Sequence, residues 1–248
     1  MYWNGDIPKL PLACISRIKR LHPDWDVEIL RDDNLCGEMP CLKFLAVQHR
    51  SDWARCCILA RHGGVWLDST CICNRPVTDW VDLNSDAIQG FSAPWDASIL
   101  ENWAFAVPTG SEFMREWKEE VAKACDVGHQ AYCSAIPVDV TGDAMQKQLP
   151  YLSMHAAFAV TRRRFPNAAI HLKPSCETHG PFEYVARHNW NYVAATTDLI
   201  SRISASKLRA CPLLKLRVLE REETMRRLNK AEPGSIVHEL LKSTHRQG

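Results

Sequence analysis

No apolar stretch of this 248-residue chain approaches the roughly 20 residues that a transmembrane helix requires, so no segment reads as a membrane span. The opening MYWNGDIPKL lacks the apolar core of a signal peptide. A soluble, cytoplasmic protein is the expectation, with an anchor or signal upstream of these residues left open. An excess of one charge is also missing: 30 Lys and Arg stand against 29 Asp and Glu, for a formal net charge of +1. No bulk attraction then draws the chain to nucleic acid or an anionic membrane, and any anionic ligand must be held by local groups. Internal repeats, low-complexity tracts and a Gly-rich phosphate loop are absent, which removes the usual signature of a nucleotidyltransferase-type site. CxxC pairs are absent too, although there are 11 cysteines, including the adjacent Cys56 and Cys57 and the alternating Cys71 and Cys73. Without a second ligand pair at fixed spacing, zinc at Cys71 and Cys73 stands behind a plainer reading. On that reading they are small apolar residues kept reduced in a cytosol-like compartment.

Hydrophobic residues make up 46% of the chain, enough for a sizeable core. Pro11 suits a first helical turn, and Leu12, Ile15, Ile18 and Leu21 recur at helical spacing, so a helix is expected up to His22-Pro23. The alternation of DWDVEIL predicts a half-buried strand. From about Leu42 to Arg61 the pattern is helical again, with Gly63-Gly64 placed to end it. The apolar VWL that follows runs into Asp68, and TCIC continues as a second alternation. AIQGFSAP and ENWAFAVP read as strands. Thr109 and Glu112 have capping-box spacing before an amphipathic helix marked by Met114, Trp117 and Val121. The stretch from Gly128 to Pro150 is turn-rich, and beyond Phe182 the pattern is mostly helical. The simplest organisation is a single α/β domain, with an α/β core over 1–150 and a mainly helical part over 151–248.

Asp52 and Arg55 lie three apart and would share a helix face; with Asp68 at a strand end they are candidates for one pocket. Arginine suits phosphate or sugar oxygens through its planar fork, and a carboxylate suits paired hydroxyls or a divalent cation. Spacing alone favours a plainer reading, an exposed ion pair of little consequence.

The combination SDWAR followed by HGGVWLDST resembles the donor-site signature of DXD-containing glycosyltransferases. It is especially similar to the capsular polysaccharide synthesis group related to glycosyltransferase family 32. YWNGDIP with PLACISRIKRLHPDW resembles the opening of that group, ENWAFAVPTGSEF its middle, and CPLLKL its tail. The resemblance implies a GT-A-like α/β fold with a mostly parallel central sheet, a nucleotide-sugar donor (UDP- or GDP-linked), and a saccharide or glycan acceptor. Asp52 and Arg55 would contact the donor's sugar and diphosphate, and Trp3 its base. Asp68 would take the first DXD position. Thr70 stands where many relatives carry the second aspartate, and a hydroxyl is a weaker ligand than a carboxylate for the implied Mn²⁺ or Mg²⁺. His179 is the chosen further metal ligand, ahead of His188, against the alternative of an exposed loop histidine. Glu101 is the candidate general base, should the reaction invert the anomeric centre, or else a strand-end carboxylate without chemical duty. Asn102 and Trp103 are candidates to shape the acceptor subsite. The alternative function is a GT-A-like protein that binds glycan or nucleotide without turnover.

Overall fold

The computed structural model describes residues 1–33 and 45–242 and is mixed α/β. Its chain divides into two compact units, each assembled from three separate segments. The first comprises Met1–Trp3, Ile29–Leu67 and Leu83–Lys173; the second comprises Asn4–Glu28, Asp68–Asp82 and Pro174–Gly248. Position 150 thus falls inside the first unit, and the passage from Leu67 to Asp68 is a boundary.

In the second unit, helix α1 (Lys9–Leu21) buries Leu10, Cys14, Ile15 and Ile18; Ile15 and Ile18 of the expected stripe are buried as read, while Leu12 is exposed and Leu21 half-buried. In the first unit, α2 (Val47–His62) ends at Gly63, whose φ of 68° suits glycine. A Cβ there would lie 2.7 Å from the Thr109 backbone nitrogen. The helical pattern read from Leu42 begins at Val47; Leu42 to Phe44 lie outside the described residues. Strand β1 (Gly64–Leu67) follows, while β2 (Cys71–Cys73) belongs to the second unit and is buried at all three residues instead of alternating.

Strands β3 (Ile88–Ala93) and β4 (Asp96–Val107) form a hairpin, and β5 (Ile170–Pro174) completes a four-stranded sheet in the order β1-β4-β3-β5. β4 runs antiparallel to both β1 and β3. The mostly parallel sheet expected from the resemblance is therefore corrected to a mixed one. For β3 and β4 the cause is local: only Pro94 and Trp95 separate them, and a connection that short reverses the chain.

Helix α3 (Glu112–Val127) is capped by Ser111, whose hydroxyl accepts from the Met114 N–H at 3.2 Å, so the cap falls two residues after the expected Thr109. Trp117, fully buried on α3, packs with Phe105 of β4 and Phe158 of α6 (Ser153–Arg164), and its indole N–H donates to the Met154 carbonyl at 3.0 Å. The turn-rich stretch before α6 holds two short helices, α4 (His129–Ser134) and α5 (Val138–Gln146).

The strand expected from Asp24 to Leu30 is absent apart from one bridge, Tyr2 to Leu30. Its side chains still alternate in burial, because Trp25, Val27 and Ile29 are half-buried and Asp24, Asp26 and Glu28 exposed. Apolar alternation is thus satisfied without a paired ladder.

The second unit's C-terminal part carries α7 (Glu183–Ala186), α8 (Tyr192–Ile200), α9 (Ala205–Ala210), α10 (Val218–Arg226) and α11 (Ile236–Lys242). Strand β6 (Leu213–Lys215) interrupts them and pairs antiparallel with β2, setting Cys71 opposite Lys215. No helix of the described residues is long and apolar enough to cross a membrane.

Candidate functional site

In the first unit, the three-residue spacing on α2 brings Asp52 and Arg55 together as read. Arg55 Nη1 donates to Asp52 Oδ1 at 2.9 Å and Nη2 to Ser51 Oγ at 3.2 Å. The plainer reading is corrected in one respect: this ion pair is not exposed, since Asp52 is 6% and Arg55 3% accessible. Its guanidinium lies 4.9 Å over the Trp66 ring of β1, a cation–π geometry. Asn102 of β4 donates to the same Asp52 oxygen at 3.2 Å. On the other side, His49 Nδ1 lies 3.7 Å from Asp52 Oδ2 and its ring stacks on His129 at 3.5 Å between centroids. His129 Nδ1 meets Ser153 Oγ at 2.8 Å. Burial, reinforced by His49, pushes the His129 pKa down to about 4, so the His129 ring is held neutral.

Glu101, also on β4, is buried, and its Oε2 lies 3.7 Å from Nε2 of the buried His155 on α6. Trp103 stacks against Phe91 in the same unit. Trp3 is half-buried, with its backbone N–H donating to the Leu30 carbonyl at 2.9 Å.

In the second unit, a tight turn follows Asp68, whose carbonyl accepts from the Cys71 N–H at 3.0 Å. The β2–β6 register then delivers Lys215 to it. Lys215 Nζ donates to Asp68 Oδ2 at 2.7 Å and to Thr70 Oγ1 at 3.0 Å. Tyr184 fixes the lysine's backbone by donating to its carbonyl at 2.8 Å, and the Leu216 N–H donates to the Thr70 carbonyl at 3.1 Å. Lysine is rarely buried unless paired, yet Lys215 is 7% exposed. The Asp68 side chain keeps more exposure, 26%.

His179 sits in an exposed loop of this unit with φ 67°, its backbone N–H donating to Glu183 Oε2 at 2.8 Å. His188 is engaged elsewhere, 2.8 Å from Asp198 Oδ2, where Arg187 Nη2 also lies at 2.9 Å. Those partners hold the Asp198 carboxyl below its usual range against the opposing effect of burial. Among the described residues no three His, Cys, Asp or Glu side chains converge as a metal cluster. The nine described cysteines are free thiols, and burial raises Cys56 and Cys73 well above the ordinary thiol pKa.

Two of the expected groupings therefore exist, Asp52 with Arg55 and Asp68 with Thr70, in separate units. Residues 3–123 match the capsular polysaccharide synthesis protein family. That span stops just short of half the chain; it contains Trp3, Asp52, Arg55, Asp68, Thr70 and Glu101, and leaves out His179 and Lys215. No curated protein and no solved structure matches the chain.

Sequence reasoning missed Lys215, His49, His129, His155 and Ser153. Lys215 left a signal: a lone lysine inside the apolar CPLLKL demands a partner. His49 left one as well, three residues before Asp52 on the same helix face. His129 and His155 left none, since only packing sets His129 on His49 and His155 beside Glu101 of β4.

Proposed function

We propose that the chain is a glycosyltransferase of polysaccharide synthesis, moving a hexose from a UDP- or GDP-linked donor to a hydroxyl of a saccharide. The observation that carries this reading is the carboxylate of Asp68. It stands one residue past the end of β1, inside the family-matched span, beside a buried cation.

Transfer breaks the bond between the anomeric carbon and the diphosphate oxygen, leaving the electron pair on the diphosphate, while the acceptor oxygen bonds to that carbon and gives its proton to a base. The chief demand on the protein is to hold the partners and neutralise the charge on the departing group. A positive group at Asp68 meets that demand. Glu101 is proposed as the base, with His155 as its neighbour. Asp52 and Arg55 are proposed to act on the donor side, and the stack of Arg55 on Trp66 anchors β1. Trp3 is proposed to stack on the base of the donor.

A thermal-shift panel of nucleotide sugars tests the reading. A donor at about 100 times its Kd adds about 2.7 kcal/mol, a rise in Tm of roughly 5–10 °C for a chain of this size. A panel in which no nucleotide sugar moves Tm contradicts it. Thr70, in place of a second carboxylate, favours one alternative, a protein that binds the same ligands without turnover. Donors that raise Tm but are never consumed would decide for it.

A further inference from the structure

We propose that Lys215 binds the diphosphate of the donor, so that nucleotide binding at Asp68 and Thr70 needs no divalent cation. The inference rests on the donor reading above and deepens it. Of the oxygens that Asp68 and Thr70 offer to Mn²⁺ or Mg²⁺, Asp68 Oδ2 and Thr70 Oγ1 both accept from one ammonium, at 2.7 and 3.0 Å. A metal ion bonds such oxygens at about 2.0–2.6 Å, which would set it against Nζ with like charges in contact. Thr70 supplies a neutral hydroxyl, and no convergent His, Cys, Asp or Glu trio exists among the described residues to outweigh the repulsion. The donor set therefore fits an ammonium and does not fit a divalent ion.

The lysine is also fixed in place. It lies on β6 opposite Cys71, its N–H donates to the Pro181 carbonyl at 3.2 Å, and its own carbonyl accepts from the buried Tyr184 hydroxyl. Gly180, just before Pro181, has no room for a side chain, since a Cβ would lie 2.4 Å from the Ser175 carbonyl oxygen. Such anchoring spares the entropy that a long flexible side chain loses on binding. Phosphate oxygens would share the ammonium with Asp68, whose side chain is the more exposed of the pair. A point charge of this kind is a standard phosphate ligand, and a hydrogen bond between charged groups outweighs a neutral one.

The test is titration calorimetry of UDP and GDP into the full chain, first in EDTA and then with excess Mn²⁺. The expected result is binding of one nucleotide with affinities that agree within about threefold in the two buffers, and a loss of about tenfold or more in Lys215→Met. Lys215→Arg, which keeps the charge, should lose less than Lys215→Met. A wild-type affinity that rises about tenfold or more with Mn²⁺ overturns the inference and leaves the donor reading standing. So does wild-type affinity in a folded Lys215→Met. Failure of both nucleotides to bind in either buffer overturns the donor reading and this inference with it. If Lys215→Met does not fold, the wild-type comparison and Lys215→Arg decide.

Discussion

Replacing Arg55 by Ala removes the guanidinium that pairs with Asp52 at 2.9 Å, donates to Ser51 at 3.2 Å and lies 4.9 Å over Trp66. Were the pair exposed, the loss would be about 0–1 kcal/mol. The side chains are only 4% and 9% exposed, however, so the substitution strands a carboxylate inside the first unit. Removing one partner of a buried pair costs about 3–5 kcal/mol, and the contact with Trp66 adds about 0.5–2 kcal/mol. Asn102, 3.2 Å from Asp52, and His49, 3.7 Å away, remain to solvate the charge and pull the total toward the lower end. We expect a loss of about 3–5 kcal/mol, read as a fall in the urea midpoint at unchanged slope. Combining Asp52→Asn with Arg55→Met, which leaves neither charge uncompensated, should recover more than half of it. A variant Arg55→Ala within about 1 kcal/mol of wild type would refute the assignment of a buried, mutually dependent pair. Loss of turnover in Arg55→Ala therefore bears on ligand binding only after its stability is measured.

Three further outcomes are expected. The His129 pKa lies at about 4 in the folded chain against 6.5 as the ordinary value, so its neutral form is favoured by folding. Its contribution to stability is complete above the ordinary value and is lost as pH falls toward the folded one, by about 2 kcal/mol at about pH 5. Urea midpoints across that range should fall less steeply in His129→Gln, and equal slopes would refute the reasoning. Gly63→Ala, at φ 68° and 2.7 Å from the Thr109 nitrogen, should cost about 1–3 kcal/mol or more by the same assay. Asp68→Asn removes the charge from the group that accepts from Lys215 Nζ at 2.7 Å and should cost about 1–3 kcal/mol in stability and lower transfer at least about tenfold. Normal turnover in a folded Asp68→Asn would remove Asp68 from the site.

Local signals carried far in this chain. Gly63 after an apolar helical pattern placed the end of α2, and VWL before Asp68 placed β1, because glycine geometry and apolar runs act over a few residues. The three-residue spacing of Asp52 and Arg55 gave their contact, since a helix face is set by its period. Burial of that contact was invisible: it depends on β4 and α6, whose Asn102 and Met154 are far away in sequence. DWDVEIL misled for the same reason, as alternation reports burial of a face and says nothing of a neighbouring strand. Lys215 lies 147 residues from Asp68, and only the β2–β6 register joins them. Asp68 and Thr70 were thus readable as a pair of oxygens, and the cation between them was not.

The most direct measurement of the central claim is product analysis of purified chain incubated with UDP- and GDP-linked sugars and a saccharide acceptor, in EDTA and in Mn²⁺. The account predicts release of a nucleoside diphosphate from one donor together with a saccharide enlarged by one hexose. Release of pyrophosphate instead, or donor binding with no release in either buffer, would contradict it.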